Sequence, residues 1–411
     1  MIATLNMVYT RWPFYFWIPY SLAAFSFFTP ISSSAKSIFF VLSVISIIFS
    51  PLCWPDLRQT LTKPWCQACL GLFGVLFLAC MWSPATIQDK ILILGKYSKL
   101  LFFPILVVGF REEKTRRITL NALIAAMVLT SLLSIFKAYG MVTYFGTLDA
   151  GAVFRNHIMT GYMMSFAAFL CALFAYQYQG KQRIAYGVLY FLLSYQILFI
   201  NTGRTGYLLY LLLMGLLATQ VLSWRQVLLV FLLGTSLVGI AYYENTAMQT
   251  AVRDAVADWE HYHSSENKDT SIGYRLQFHQ YARALFERSP WIGNGTASFI
   301  YLYRQDTPVA SWKNLFEPHS QYWLIAVEQG ILGLLVFAIF LLSLFKAFHG
   351  GNASITDYKM MAYALLLSFL VGSVSESLLL YSGTGYFFLL YMAVCLGKLS
   401  DQTSIFHRDN S

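Results

Sequence analysis

The sequence predicts an all-α membrane protein of about twelve spanning helices, with one large, partly helical loop on the outer side. Three observations carry that prediction. The 411 residues are 57% hydrophobic and only 11% charged, whereas soluble domains carry roughly 25% charged residues. Apolar runs recur along the chain, and at about 20 residues per crossing its length holds roughly ten to thirteen of them. A single long polar stretch, from Glu244 to Gln321, interrupts the series. Lying between two apolar runs, it has to hang outside the membrane.

Hydropathy places the spans at about 14–31, 37–53, 65–82, 91–109, 118–137, 157–178, 184–200, 206–222, 226–243, 321–346, 359–378 and 385–398. The first run is long and aromatic and lacks a small-residue cleavage site, so it is expected to remain as the first span. With the N-terminus inside, the inner loops hold Arg58 and Lys63, Arg111 to Arg117, Lys181 and Arg183, and Lys346 and Lys359. The short outer loops hold Lys36, Lys90 and Arg155. That asymmetry puts both ends inside and the long loop outside. Four regions follow: nine spans over 1–243, the loop over 244–320, three spans over 321–398, and a polar tail over 399–411, expected to be loose.

The formal charge of +9 is orientation signal, since no basic cluster interleaves with aromatics as nucleic-acid binding requires. No internal repeat is evident. Cys66 and Cys69 form a CxxC without the βαβ context of a redox motif, so buried thiols are expected. In the loop, Leu276, Phe278, Tyr281, Ala282, Leu285 and Phe286 fit one face of a helix that ends at Pro290. Trp291 to Gly295 then read as a turn lying on membrane or helix tops.

Topology filters the candidate residues. Even-numbered spans start on the outer side, and helix N-termini suit bound anions through free N–H groups and the helix dipole. Lys96 lies in span 4, Arg155 and His157 at the start of span 6, Arg204 at that of span 8, and His319 at that of span 10. Arg204, in NTGRTG, has almost no polar spacer around it. An arginine at a helix centre costs roughly 2.5–3.5 kcal/mol, and a phosphate would offset such a cost through bidentate bonds; snorkelling to lipid headgroups is the plainer account. Arg275 is a phosphate ligand or a surface arginine paired with an acid such as Asp269. His319 is a general base or a helix-start hydrogen bonder. Glu328, about 13 Å deeper along span 10, and Glu376, near the outer end of span 11, are substrate-binding candidates or helix ties. Lys96 either meets an anion in the same cavity or snorkels outward, and His157 is a candidate to bind a hydroxyl. No P-loop, HExxH or GxSxG motif occurs. Nor is there a DxD-like pair, so no metal or other cofactor is expected.

These residues, in this order, resemble the O-antigen ligase and polymerase family of bacterial inner-membrane proteins. NTGRTGYLL, RLQFHQYARALFERSPWIGNGTASF and HSQYWLIAVEQGILG carry the resemblance over roughly 190–345, and KYSKLL and FRNHIMTGY resemble family patterns more weakly. Ser320 stands where His-Asn is commoner in the family. The resemblance implies a GT-C-like glycosyltransferase of about twelve spans in the bacterial inner membrane, with a large periplasmic loop between spans 9 and 10. It implies a donor glycan on undecaprenyl pyrophosphate and, for a ligase, a sugar hydroxyl of lipid A–core as acceptor in lipopolysaccharide biosynthesis. Arg204 and Arg275 match the arginines that grip the pyrophosphate, and His319 the histidine that activates the acceptor. Direct, metal-independent displacement would invert the anomeric centre, since no carboxylate nucleophile is evident. Two alternatives stand beside the ligase. One is a polysaccharide polymerase or protein O-oligosaccharyltransferase of the same family. The other is a transporter, which should show broken helices and midplane polar residues.

Overall fold

The computed structural model describes residues 13–142, 149–244, 249, 250, 253, 269–349 and 357–408. Among them the fold is all-helical. In chain order the helices are α1 (Pro13–Ile31), α2 (Ser33–Ile48), α3 (Trp54–Leu61), α4 (Pro64–Leu78), α5 (Ile87–Tyr97), α6 (Lys99–Gly109), α7 (Glu113–Ala138) and α8 (His157–Gln177). Then come α9 (Gly180–Tyr195), α10 (Arg204–Val221), α11 (Trp224–Glu244), α12 (Ser271–Arg288), α13 (Ser298–Asp306), α14 (Gln321–His349), α15 (Asp357–Gly372) and α16 (Ser382–Arg408). Most of the Glu244–Thr270 part of the predicted loop, with Asp254, Asp258 and Glu260, lies outside the described residues.

Each of the twelve predicted segments is helical over most of its length, but among the described residues seven helices are long and apolar enough to cross a membrane, or eight if a bent pair counts as one. The differences have local causes. Ser50-Pro51 ends α2 and bends the chain by 78° into α3, because proline cannot extend the preceding helix. The third segment closes at Leu78 after 15 residues, about 22 Å at 1.5 Å each and short of a hydrocarbon core of about 30 Å. The eleventh stops at Gly372, so Glu376 stands in a loop rather than in a helix. In the region predicted as the tail, α16 continues to Arg408.

The core centres on α8 and α16. Every residue of α8 from Thr160 to Cys171 is buried, as is every residue of α16 from Phe387 to Leu396. Helix α8 packs on α9 and α10, and α16 packs on α6 and α15. Where α8 meets α10, a Cβ on Gly161 would lie 2.9 Å from the Gly206 Cα. The glycine pair lets the two backbones touch and draws the Arg204 end of α10 against the start of α8. Helix α14 packs on α4 and carries α12.

Helix α14 is broken at Gly330, whose φ of 65° and ψ of −158° are open only to glycine. The break is filled by the loop. Asn294 N and Gly295 N donate to the Val327 and Glu328 carbonyls, each at 2.8 Å, while Ile331 N and Leu332 N donate to the carbonyls of Pro290 and Trp291 at 2.8 and 3.1 Å. Helical bonds lost at the break are thus replaced one for one by the turn after α12. The backbone is satisfied and the loop is fastened to a membrane helix.

Candidate functional site

The site is built where the loop, the start of α14 and the α15–α16 turn meet. Glu317 is 1% exposed, and its carboxylate is surrounded by donors. Ser377 Oγ donates at 2.5 Å, the His319 backbone N–H at 2.7 Å and the Tyr381 hydroxyl at 3.1 Å. These bonds hold His319 at φ 54°, a left-handed conformation that costs a non-glycine residue about 1–3 kcal/mol and is tolerated where its surroundings fix it. Phe278 of α12 stacks on the imidazole with ring centroids 5.8 Å apart.

His319 Nδ1 lies 3.1 Å from Glu317 and 3.2 Å from Glu376. With Nδ1 turned to two carboxylates, Nε2 is the nitrogen able to take a proton from a substrate hydroxyl. Burial lowers the proton affinity of this imidazole, but the Glu376 hydrogen bond and the charges of Glu317 and Glu376 outweigh it and hold the group above its ordinary value. Burial, with the neighbouring Glu376 charge, holds Glu317 above the usual carboxylate range even though His319 pulls it down.

Arg275 reaches the same place from α12, its Nη2 lying 3.5 Å from Glu376 Oε1; the partner is not the nearby Asp269 that its sequence position suggests. Arg204 is exposed at the first position of α10, and among the described residues it has no hydrogen-bond or ion-pair partner. Its neighbour Thr205 meets Ser375, next to Glu376, at 3.3 Å between hydroxyls. Arg275 thus reaches the Glu376 turn from the loop, while α10, which begins at Arg204, touches the same turn through Thr205.

That turn is held from within the protein. Gln321 Oε1 accepts from Leu379 N and Leu380 N at 2.9 and 3.3 Å, and its Nε2 donates to the Tyr97 hydroxyl at 3.1 Å. Lys99, 1% exposed, donates to the carbonyls of Leu379, Leu380 and Tyr381 at 2.6, 3.4 and 3.1 Å. Ser320 caps the first turn of α14, receiving Trp323 N at 3.4 Å.

The other expected site residues divide. Lys96 lies with Nζ 4.3 Å from the centre of the Phe316 ring, one residue from Glu317. His157 is paired with Asp149 at 2.8 Å, and Thr202 donates to the same carboxylate at 3.2 Å, so this pair flanks the turn leading into Arg204. The His157 bond comes first in holding the Asp149 carboxyl below its ordinary value. Arg155 points elsewhere, binding the Thr29 and Pro30 carbonyls and Ser33 Oγ at the α1–α2 turn. Glu328 is 2% exposed and accepts from the backbone of Ala297 and Phe299 at the start of α13. It ties the loop to α14.

Three members of the site had not been singled out in the sequence: Glu317, Tyr381 and His279, whose Nε2 donates to the His319 carbonyl at 3.4 Å. An acid two residues before the histidine, in EPHS, was the available signal for Glu317. The ligand atoms of Glu317, His319 and Glu376 lie within 4.8 Å of one another, a spacing a divalent cation could use. However, protein donors already fill the Glu317 carboxylate, and His319 and Arg275 share Glu376. The acids are balanced by resident cations.

A family model described as O-antigen ligase matches residues 189–338. The matched stretch contains Arg204, Arg275, His319 and Glu328, and leaves Glu376 and Lys96 outside it. The resemblance drawn from the three motifs is borne out. No curated protein matches the chain.

Proposed function

We propose, from the match of residues 189–338 to the O-antigen ligase family model, that this chain is a ligase that moves a glycan from undecaprenyl pyrophosphate to a sugar hydroxyl of lipid A–core. The family is one of membrane glycosyltransferase-like enzymes. In this proposal the chain is a twelve-span inner-membrane protein, its 244–320 loop is periplasmic, and its donor and acceptor meet at the His319 cluster. The observation that carries it is the meeting of Arg275 and a carboxylate-held His319 at Glu376, beside a turn that Thr205, the neighbour of Arg204, also touches.

The chemistry is a single displacement. The acceptor oxygen forms a bond to the anomeric carbon as the bond from that carbon to the pyrophosphate oxygen breaks. The pyrophosphate leaves with the electron pair, and Arg204 and Arg275 neutralise the charge that develops on it. The hydroxyl proton goes to His319 Nε2, while Nδ1 keeps its proton toward Glu376. Attack opposite the leaving group inverts the anomeric centre. Glu328 has no part in this, because its carboxylate serves the loop backbone.

Purified protein given lipid-linked glycan and lipid A–core should produce glycosylated lipid A–core. Elongation of the lipid-linked glycan in place of that product would make it the family's polymerase. The break in α14, which a transporter would use to line a path, is closed here by loop backbone and gives transport no support.

A further inference from the structure

Two groups with opposite tasks in this mechanism share one oxygen atom. Glu376 Oε1 is 3.5 Å from Arg275 Nη2 and 3.2 Å from His319 Nδ1. Both contacts are longer than the roughly 2.7–2.9 Å of a committed charge-assisted bond, as expected when two donors divide one acceptor. Glu376 itself is 6% exposed, and its backbone N–H is fixed to the Gly372 carbonyl at 3.1 Å. The Arg275 side chain, on the loop side, is 30% exposed against 8% for that of Glu376 and is the more accessible partner. The second carboxylate, Glu317, cannot play the same part because Ser377, Tyr381 and the His319 N–H hold both its oxygens.

We propose that Glu376 is a positioning residue that couples the donor site to the base: the donor's pyrophosphate draws Arg275 off Oε1, and that oxygen then serves His319 alone. Before donor binds, the arginine weakens the carboxylate's hold on the imidazole. After it binds, the ring is oriented by a full carboxylate and Nε2 becomes the better proton acceptor. The histidine is thereby readied for a hydroxyl only when a glycan is in place to be attacked, which suppresses idle turnover. This rests on the ligase reading, in which Arg275 meets the pyrophosphate and His319 the acceptor.

Glu376→Gln separates coupling from simple structural support. The amide oxygen can still receive the Nδ1 proton, but it no longer holds Arg275 by charge. Binding of an undecaprenyl-pyrophosphate-linked glycan to the nanodisc-embedded variant should therefore tighten, by about two- to fivefold for release of this long, shared ion pair. At saturating donor, turnover should fall about ten- to a hundredfold. In an Arg275→Ala background the same substitution should leave donor affinity unchanged, since no pair remains to be released. Unchanged or weaker donor binding by Glu376→Gln, or unchanged turnover, overturns the coupling. If Glu376→Gln does not survive purification, Glu376→Asp keeps the charge and must bind donor within about twofold of wild type; a larger loss also overturns it. Wild-type protein that transfers no glycan would instead remove the ligase reading itself, so the two failures differ.

Discussion

Replacing Gly293 by alanine should detach the loop from α14. An added Cβ would lie 2.4 Å from the Glu328 carbonyl carbon and 2.5 Å from Gln329 N, against 3.4–4 Å for ordinary contact, and Gly293 has φ +70°. Both neighbours are backbone, so neither can turn aside, and the turn would have to retreat by about 1 Å to reach normal contact distance. Asn294 N–Val327 O and Gly295 N–Glu328 O, each 2.8 Å now, would then pass out of hydrogen-bond range. The left-handed conformation costs alanine about 1–2 kcal/mol, and each buried backbone group left unpaired costs about 1–3 kcal/mol. Two bonds lost leave four such groups, and the sum, about 5–14 kcal/mol, rivals the whole stability of many domains, so undocking is the cheaper outcome. Limited proteolysis of the detergent-purified variant should cut between α12 and α14 faster than in wild type, and glycan transfer should collapse because Arg275 loses its place beside Glu376. Gly71→Ala is the control, with nothing within 4 Å of its Cβ. A Gly293→Ala protein with wild-type protease resistance and transfer rate would refute the interlock.

Arg204→Ala should lower glycan transfer at least about a hundredfold, the scale of losing one charge-stabilising donor, without changing thermal stability, because Arg204 is exposed; a matching loss of thermal stability would make it structural. Because Glu376 and Glu317 hold His319 above the 6.5 of a free imidazole despite its burial, its basic form appears only as pH rises through that raised value. Turnover should therefore climb with pH along a limb centred above 6.5, and in Glu376→Gln the limb should move to lower pH; a pH-independent rate from 5.5 to 8.5, on the order of the usual histidine window, would count against the base. Chelators should leave the transfer rate unchanged, whereas a loss restored by a divalent cation would reassign Glu317, His319 and Glu376 as its ligands.

The helices were legible because apolar runs of near-crossing length leave little else for the chain to form, and the loop because polarity of that length cannot sit in hydrocarbon. Hydropathy could not see the interruptions. AVEQGILG scores as continuous helix, and only the arrival of Trp291 to Gly295 makes a break at Gly330 tolerable. Arg204, Arg275 and His319 stood out as cations or titratable groups at apolar boundaries, a local signal. Arg155 carries the same signal but is bound to the α1–α2 turn, because its neighbour in space comes from a segment over a hundred residues away. Lys96 and Lys99 differ by one helical turn; the sequence favours neither, yet packing buries Lys99 under three carbonyls and leaves Lys96 beside Phe316. Glu317 was hidden by its neighbour, since a histidine at a helix start draws attention from the acid that fixes it.

The placement of charge decides what the site can hold. Its acids are inside, Glu317 at 1% and Glu376 at 6% exposure, and each is tied to protein donors. Its arginines are outside or half-exposed, one with no partner among the described residues and one on a long, shared contact. An incoming cation would have to strip hydrogen bonds from buried carboxylates. An incoming pyrophosphate would meet guanidiniums that lose little by turning to it, and its arrival would release Glu376 to His319. On the proposed ligase reading, the layout that favours an anionic donor would also prepare the base, making donor recognition and acceptor activation two consequences of one carboxylate's position.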